Sequence, residues 1–194
     1  MIAPGFIPAH RGGSAVSRVI RVGGMAKAEL LEKLRDAGVQ LNEAARTLFA
    51  DERFTTSEVS ALIETVELSV ADLGCGSGAT LPQIIERAAG AGLSLCPLEL
   101  APHLRLQFMD QPEGFLGHPP SQNRAPPGAI TVASEPVAQD DETPKGFYLR
   151  RIEGVLWLRG YRSWPGHVWS PEDRFVFAQL LPRAARGSRA CPTA

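Results

Sequence analysis

Seven prolines fall between residues 97 and 127 (Pro97, Pro102, Pro112, Pro119, Pro120, Pro126 and Pro127), and they constrain this chain of 194 residues more than any other feature. A proline inside a helix removes a ladder hydrogen bond and clashes with the turn before it. Crossover helices therefore cannot run through that stretch, and a doubly wound parallel sheet needs one after every strand. With 16 prolines and 19 glycines overall, the chain must turn often. A hydrophobic content of 44% still supports a core, and the length fits a single domain.

Helical patterning lies upstream of the prolines and strand patterning downstream, which predicts an α+β fold. Residues 1–24 mix Gly, Pro, Ser and Arg without periodicity and are expected to be a disordered extension, with Met25 a plausible start of the native chain. Ala26–Ala37 reads as a helix with Leu30, Leu31 and Leu34 on one face and Gly38 as its stop. Asn42 caps a second, Glu43–Ala50, burying Ala45, Leu48 and Phe49. The pair reads as a helical hairpin packed on a sheet; it lacks the basic face of a DNA-reading helix-turn-helix.

Ile63–Asp72 reads as a strand, followed by a glycine turn and a helix, Leu81–Ala89, with Thr80 as N-cap and Pro82 in the first turn. Further strands are expected at Leu93–Cys96, Leu104–Met109, Ala129–Ser134, Phe147–Ile152, Val155–Tyr161 and Arg174–Phe177. Glu153-Gly154 marks a hairpin between two of them. The expected fold is thus an N-terminal helical hairpin and one further helix on a mostly antiparallel sheet, in one domain over residues 25–180. A disordered basic tail over 181–194 completes the expectation.

The turn Asp72-Leu-Gly74-Cys-Gly76-Ser-Gly78 resembles the glycine-rich loop of S-adenosylmethionine-dependent methyltransferases. The resemblance implies that Asp72, Gly74, Gly76 and Gly78 cradle the cofactor, with Glu99 on its ribose. That reading needs a parallel sheet and further β-α units, which the prolines deny. The competing reading is a structural turn into a capped helix, with no cofactor at all.

From Gly78 onward the chain also resembles a family of small uncharacterised bacterial proteins. The words that carry the likeness are Gly78-Ala-Thr-Leu, Gly92-Leu-Ser-Leu-Cys-Pro-Leu-Glu99, Pro102-His-Leu-Arg-Leu-Gln-Phe-Met-Asp-Gln-Pro112, Gly146-Phe-Tyr-Leu, Val155-Leu-Trp-Leu and Trp169-Ser-Pro-Glu-Asp-Arg-Phe-Val-Phe177. It spans about residues 62–178 and implies no activity, ligand or catalytic residue.

Two groups of side chains invite a functional reading. If Leu104–Met109 is a strand with its leucines inward, Arg105 and Gln107 share its exposed face, where Glu99 or Asp110 can pair with Arg105. Tyr148, Trp157 and Tyr161 interleave with Arg150 and Arg159, and strand alternation places Tyr148 with Arg150 and Trp157 with Arg159 and Tyr161. Aromatic rings beside guanidinium groups suit single-stranded nucleic acid, a glycan or a protein partner; the plainer reading is packing anchors with arginines lying over them. Cys96 and His103 form a candidate nucleophile and base, although Leu95 and Pro97 make the surroundings of an inert thiol.

Charge excludes little and favours less: 20 basic and 21 acidic residues leave a net charge of −1, so no global field recruits nucleic acid or a membrane. The 3 cysteines lack Cys-x-x-Cys spacing, and the 4 histidines lack ligand spacing, so no metal site is expected and a cytoplasmic location is. The expected role is a soluble bacterial binding or accessory protein using Arg105, Gln107, Tyr148, Trp157, Arg159 and Tyr161. The alternative is a small methyltransferase on the glycine turn.

Overall fold

The computed structural model describes residues 15–114 and 126–179. The chain runs β1 (Val16–Val22), α1 (Lys27–Asp36), β2 (Gln40–Leu41), α2 (Glu43–Ala50), β3 (Ala61–Ser69), β4 (Ala79–Thr80), α3 (Leu81–Gly90), β5 (Leu93–Ser94) and α4 (Leu100–Gln107). It continues with β6 (Ile130–Val132), β7 (Gly146–Ile152), β8 (Val155–Tyr161), β9 (Val168–Trp169) and β10 (Arg174–Gln179). The fold is α+β, as the segregation of helix and strand signals implies.

The main sheet has the order β1-β3-β10-β6-β7-β8-β2, with β5 also pairing β10. It is mostly antiparallel; the pairs β10–β6 and β2–β8 are parallel. A second, two-stranded sheet joins β4 to β9. The hairpin β7–β8 closes on Glu153 and Gly154, both at positive φ (51° and 74°), the backbone a two-residue turn between twisted strands demands.

Alternation along the strands divides the core between the two faces of the sheet. One face, here the helical face, carries Ile20, Val22, Ile130, Phe147, Leu149, Leu158 and Val176, against which α1, α2 and α4 bury Leu30, Leu34, Leu48 and Leu104. The opposite face carries Val66, Phe175 and Phe177 beneath Ile84 and Ala88 of α3. Each buried side chain of this size contributes about 1.5–3 kcal/mol relative to exposure.

Three expectations need correction. The segment before Met25 is not wholly disordered: Val16–Val22 is a strand paired in register with β3, and Ile20 and Val22 are buried. Its alternation of Ile20 and Val22 with Arg21 is the strand signal, obscured by the Gly- and Pro-rich residues ahead of it. The expectations for residues 1–14 and 181–194 lie outside the described residues.

Leu104–Met109 is not a strand, because Leu100–Gln107 is α4. The alternating Leu104, Leu106 and Phe108 mimic a strand, but Leu100, Ala101 and Leu104 form the i, i+1, i+4 stripe that packs on the sheet, and Pro102 sits in the first turn where its missing N–H costs little. The two N-terminal helices, finally, are separated by β2: α1 packs against α4 and α2 against β8.

Candidate ligand-binding face and loop cleft

The glycine turn is closed on itself. Gly74 N–H donates to Ala71 O (2.9 Å), Cys75 N–H to Val70 O (3.2 Å) and Gly78 N–H to Cys75 O (3.0 Å), so these amides point into the turn. Asp72 Oδ2 accepts from the Ser69 amide (2.9 Å) and hydroxyl (2.7 Å). A Cβ on Gly78, whose φ is +86°, would lie 2.5 Å from Trp169 O, which explains that glycine by the approach of β9. Gln83 Oε1 accepts from Thr80 N–H (2.9 Å) at the start of α3. The strand leading into the turn, β3, has antiparallel neighbours on both sides. The parallel frame that the cofactor reading requires is therefore missing at this strand.

Glu99 does not join the glycine turn. Its carboxylate accepts from Ser57 N–H (3.2 and 3.1 Å to the two oxygens) on the loop after α2. Burial pushes its pKa up, against the lowering effect of that backbone donor.

Arg105 and Gln107 are not on a sheet face with the aromatic residues; α4 carries them on the helical side. Arg105 is fully buried, donates to Gln111 Oε1 and to Phe108 O, and has its pKa brought down to about 10 by burial, with Arg151 adding to the effect. Gln107 clamps the outer edge of β1, accepting from Arg21 N–H (3.0 Å) and donating to Arg21 O (2.8 Å). One turn earlier, His103 Nε2 accepts from Gly23 N–H (3.1 Å). Together these side chains satisfy edge groups of β1 that have no strand beside them.

The Cys96–His103 pair does not assemble as nucleophile and base. Cys96 lies with its sulfur 3.6 Å from Val176 O, and His103 spends Nε2 on Gly23. Burial alone pushes the thiol up to about 12.

The hairpin β7–β8 does bring its sequence-predicted residues together. Tyr148 stands directly opposite Arg159, and Arg150 opposite Trp157. Because Phe147, Leu149 and Leu158 fill the helical face, all of Tyr148, Arg150, Trp157, Arg159 and Tyr161 share the opposite one. The Arg159 guanidinium lies 5.2 Å from the Trp157 ring centroid and 5.9 Å from that of Tyr148. Arg159 Nε and Trp157 Nε1 are buried without a hydrogen-bond acceptor. Tyr161 stands slightly apart, its ring edge-on to Trp169 at 5.7 Å and its phenol pushed up by burial.

A cleft of about 650 Å³ opens at one end of the sheet, lined by residues 53–57, 95–99 and 135–137. Nothing local in the sequence announces it, because three loops far apart in the chain build it. Among the described residues no group of His, Cys, Asp and Glu is arranged to hold a metal ion, and no helix is long and apolar enough to cross a membrane. Comparison with family models, curated proteins and solved structures finds no match to this chain.

Proposed function

We propose that the chain is a binding module whose β7–β8 face takes single-stranded nucleic acid. The observation that carries this reading is Arg159 held against the rings of Trp157 and Tyr148 with its Nε unsatisfied. A buried donor without an acceptor is costly, about 1–3 kcal/mol, and an acceptor-rich anion placed there removes the cost. The flat rings beside it offer stacking surfaces that accept any base. A neutral glycan would stack equally well but leave the guanidinium without a counter-charge.

The test is a tryptophan-fluorescence titration with a ten-nucleotide oligothymidylate at low and moderate salt. Binding should saturate and weaken as salt rises. Trp157→Ala with Arg159→Ala should weaken it roughly 10- to 100-fold, the scale of one lost stacking partner and one ion contact, with the circular dichroism unchanged. Undiminished binding in that variant would move the site elsewhere, and no binding by the parent chain would end the nucleic-acid reading.

A further inference from the structure

The cleft at residues 53–57, 95–99 and 135–137 arises from a divergence in the sheet. Cys96 and Ser134 form an isolated parallel bridge. Beyond it one chain turns into α4 on the helical face, while the other continues into the loop toward β7. Two segments that run parallel at one bridge and then part leave a crevice between them, the kind of opening that holds ligands in open α/β sheets. Its volume is in the range of small-molecule sites.

The charges on its walls select the ligand. Among the described residues that line the cleft, Glu99 and Glu135 are acidic and Arg53 alone is basic, already tied to Asp51 through Nε (2.9 Å) and Nη2 (2.6 Å). His103 does not neutralise Glu99 from behind. Its Nε2, 3.9 Å from the carboxylate, accepts a hydrogen bond from Gly23 N–H and so bears no proton of its own. Two carboxylates therefore face a cleft whose described residues offer them no free cation. Phe54, Leu95, Leu98 and Val137 supply apolar wall between them.

We propose that this cleft binds a small organic cation, an ammonium or guanidinium group on an apolar body, with Glu99 as the buried counter-charge and Glu135 at the rim. Ser57 N–H fixes the Glu99 carboxylate, so the ligand meets a preorganised acceptor. Burial raises the Glu99 pKa, which adds that ligand binding should strengthen as pH rises and the carboxylate ionises.

Phenethylamine and its neutral analogue 2-phenylethanol are the probes, titrated into the full chain while the backbone amides of Ser57, Cys96 and Glu99 are followed by NMR. The amine should give saturable shifts at these amides, and the alcohol should bind about 10-fold more weakly or worse. Glu99→Gln keeps an acceptor for Ser57 N–H and should cost the amine a similar factor. Glu135→Gln, on an exposed side chain, provides the same comparison without touching the buried network. Equal affinity for amine and alcohol, or no saturable shift at about 20 mM amine, overturns the proposal. So does amine affinity unchanged in both variants.

Discussion

The Cys96 thiol lies beside the Val176 carbonyl in the core of the helical face, and burial pushes its pKa up to about 12. At pH 7 the thiolate fraction is then on the order of 1 in 100,000, and only the thiolate attacks an alkylating reagent. Iodoacetamide at pH 7 should leave the Cys96 peptide unmodified in the native chain and label it fully once denaturant is added, read by peptide mass. Labelling of Cys96 before unfolding would show that the site opens on its own. Arg105 makes the complementary point at the same scale. Nothing in Leu104-Arg-Leu marks an arginine as interior, yet it is fully buried because Gln111 and the Phe108 carbonyl supply acceptors and Phe108 lies against its guanidinium. Its burial depends on acceptors supplied by the turn that follows α4, which residue type alone does not disclose.

At the scale of elements, α2 is seated on β8 by one side chain and one missing side chain. Asn42 Oδ1 accepts from Ala45 N–H (3.0 Å) to cap the helix and from Gly160 N–H (2.8 Å), while Nδ2 donates to Gly160 O (3.0 Å). A Cβ on Gly160 would stand 2.5 Å from the Ala44 carbonyl carbon, so only glycine lets the helix approach. Gly160→Ala should destabilise the chain by about 1–3 kcal/mol, the cost of overpacking, seen as a lower urea midpoint. Asn42→Ala should cost about 2 kcal/mol, more than an ordinary cap, because Gly160 loses its partner as well. A midpoint unchanged in both would mean that α2 is not seated by this contact. The cap at Asn42 was legible from its place before Glu43-Ala-Ala. The 118-residue link to Gly160 was not, since it joins elements with no local signal in common. The same division holds elsewhere. The hairpin from Phe147 to Tyr161 was readable because its turn residues and its alternation agree. Helix α4 has a strand-like sequence because Leu104, Leu106 and Phe108 alternate by coincidence, and only packing under the sheet arbitrates between the two periods. Of the candidate site, Tyr148, Trp157 and Arg159 were readable from strand parity, whereas Arg105 and Gln107 inherited the error made on their element.

The described residues are organised around one main sheet with a core on either face, and β3 and β10 serve both. Val66, Phe175 and Phe177 belong to the core under α3, while Val176 and Ala178, between and beyond them on β10, belong to the other. Damage to one face should therefore reach the other as a single cooperative loss. Strand β1 is the place to test this, because it touches the sheet only through β3. Removing residues 1–24 deletes Ile20 and Val22, both 3% exposed, and takes Arg18 from the buried Glu67, which Arg18 and Arg174 hold between them. Two buried side chains at about 1.5–3 kcal/mol each amount to roughly 3–6 kcal/mol, a large share of a domain's stability. The chain beginning at Met25 should consequently unfold at a much lower urea concentration. Tryptophan fluorescence, which reports on Trp157, Trp164 and Trp169 away from β1, should move in step with the helical circular dichroism. A shortened chain with the parent's midpoint would show that β1 adds nothing to the sheet; a fluorescence transition left in place while the helical signal shifts would show that the two faces fold apart.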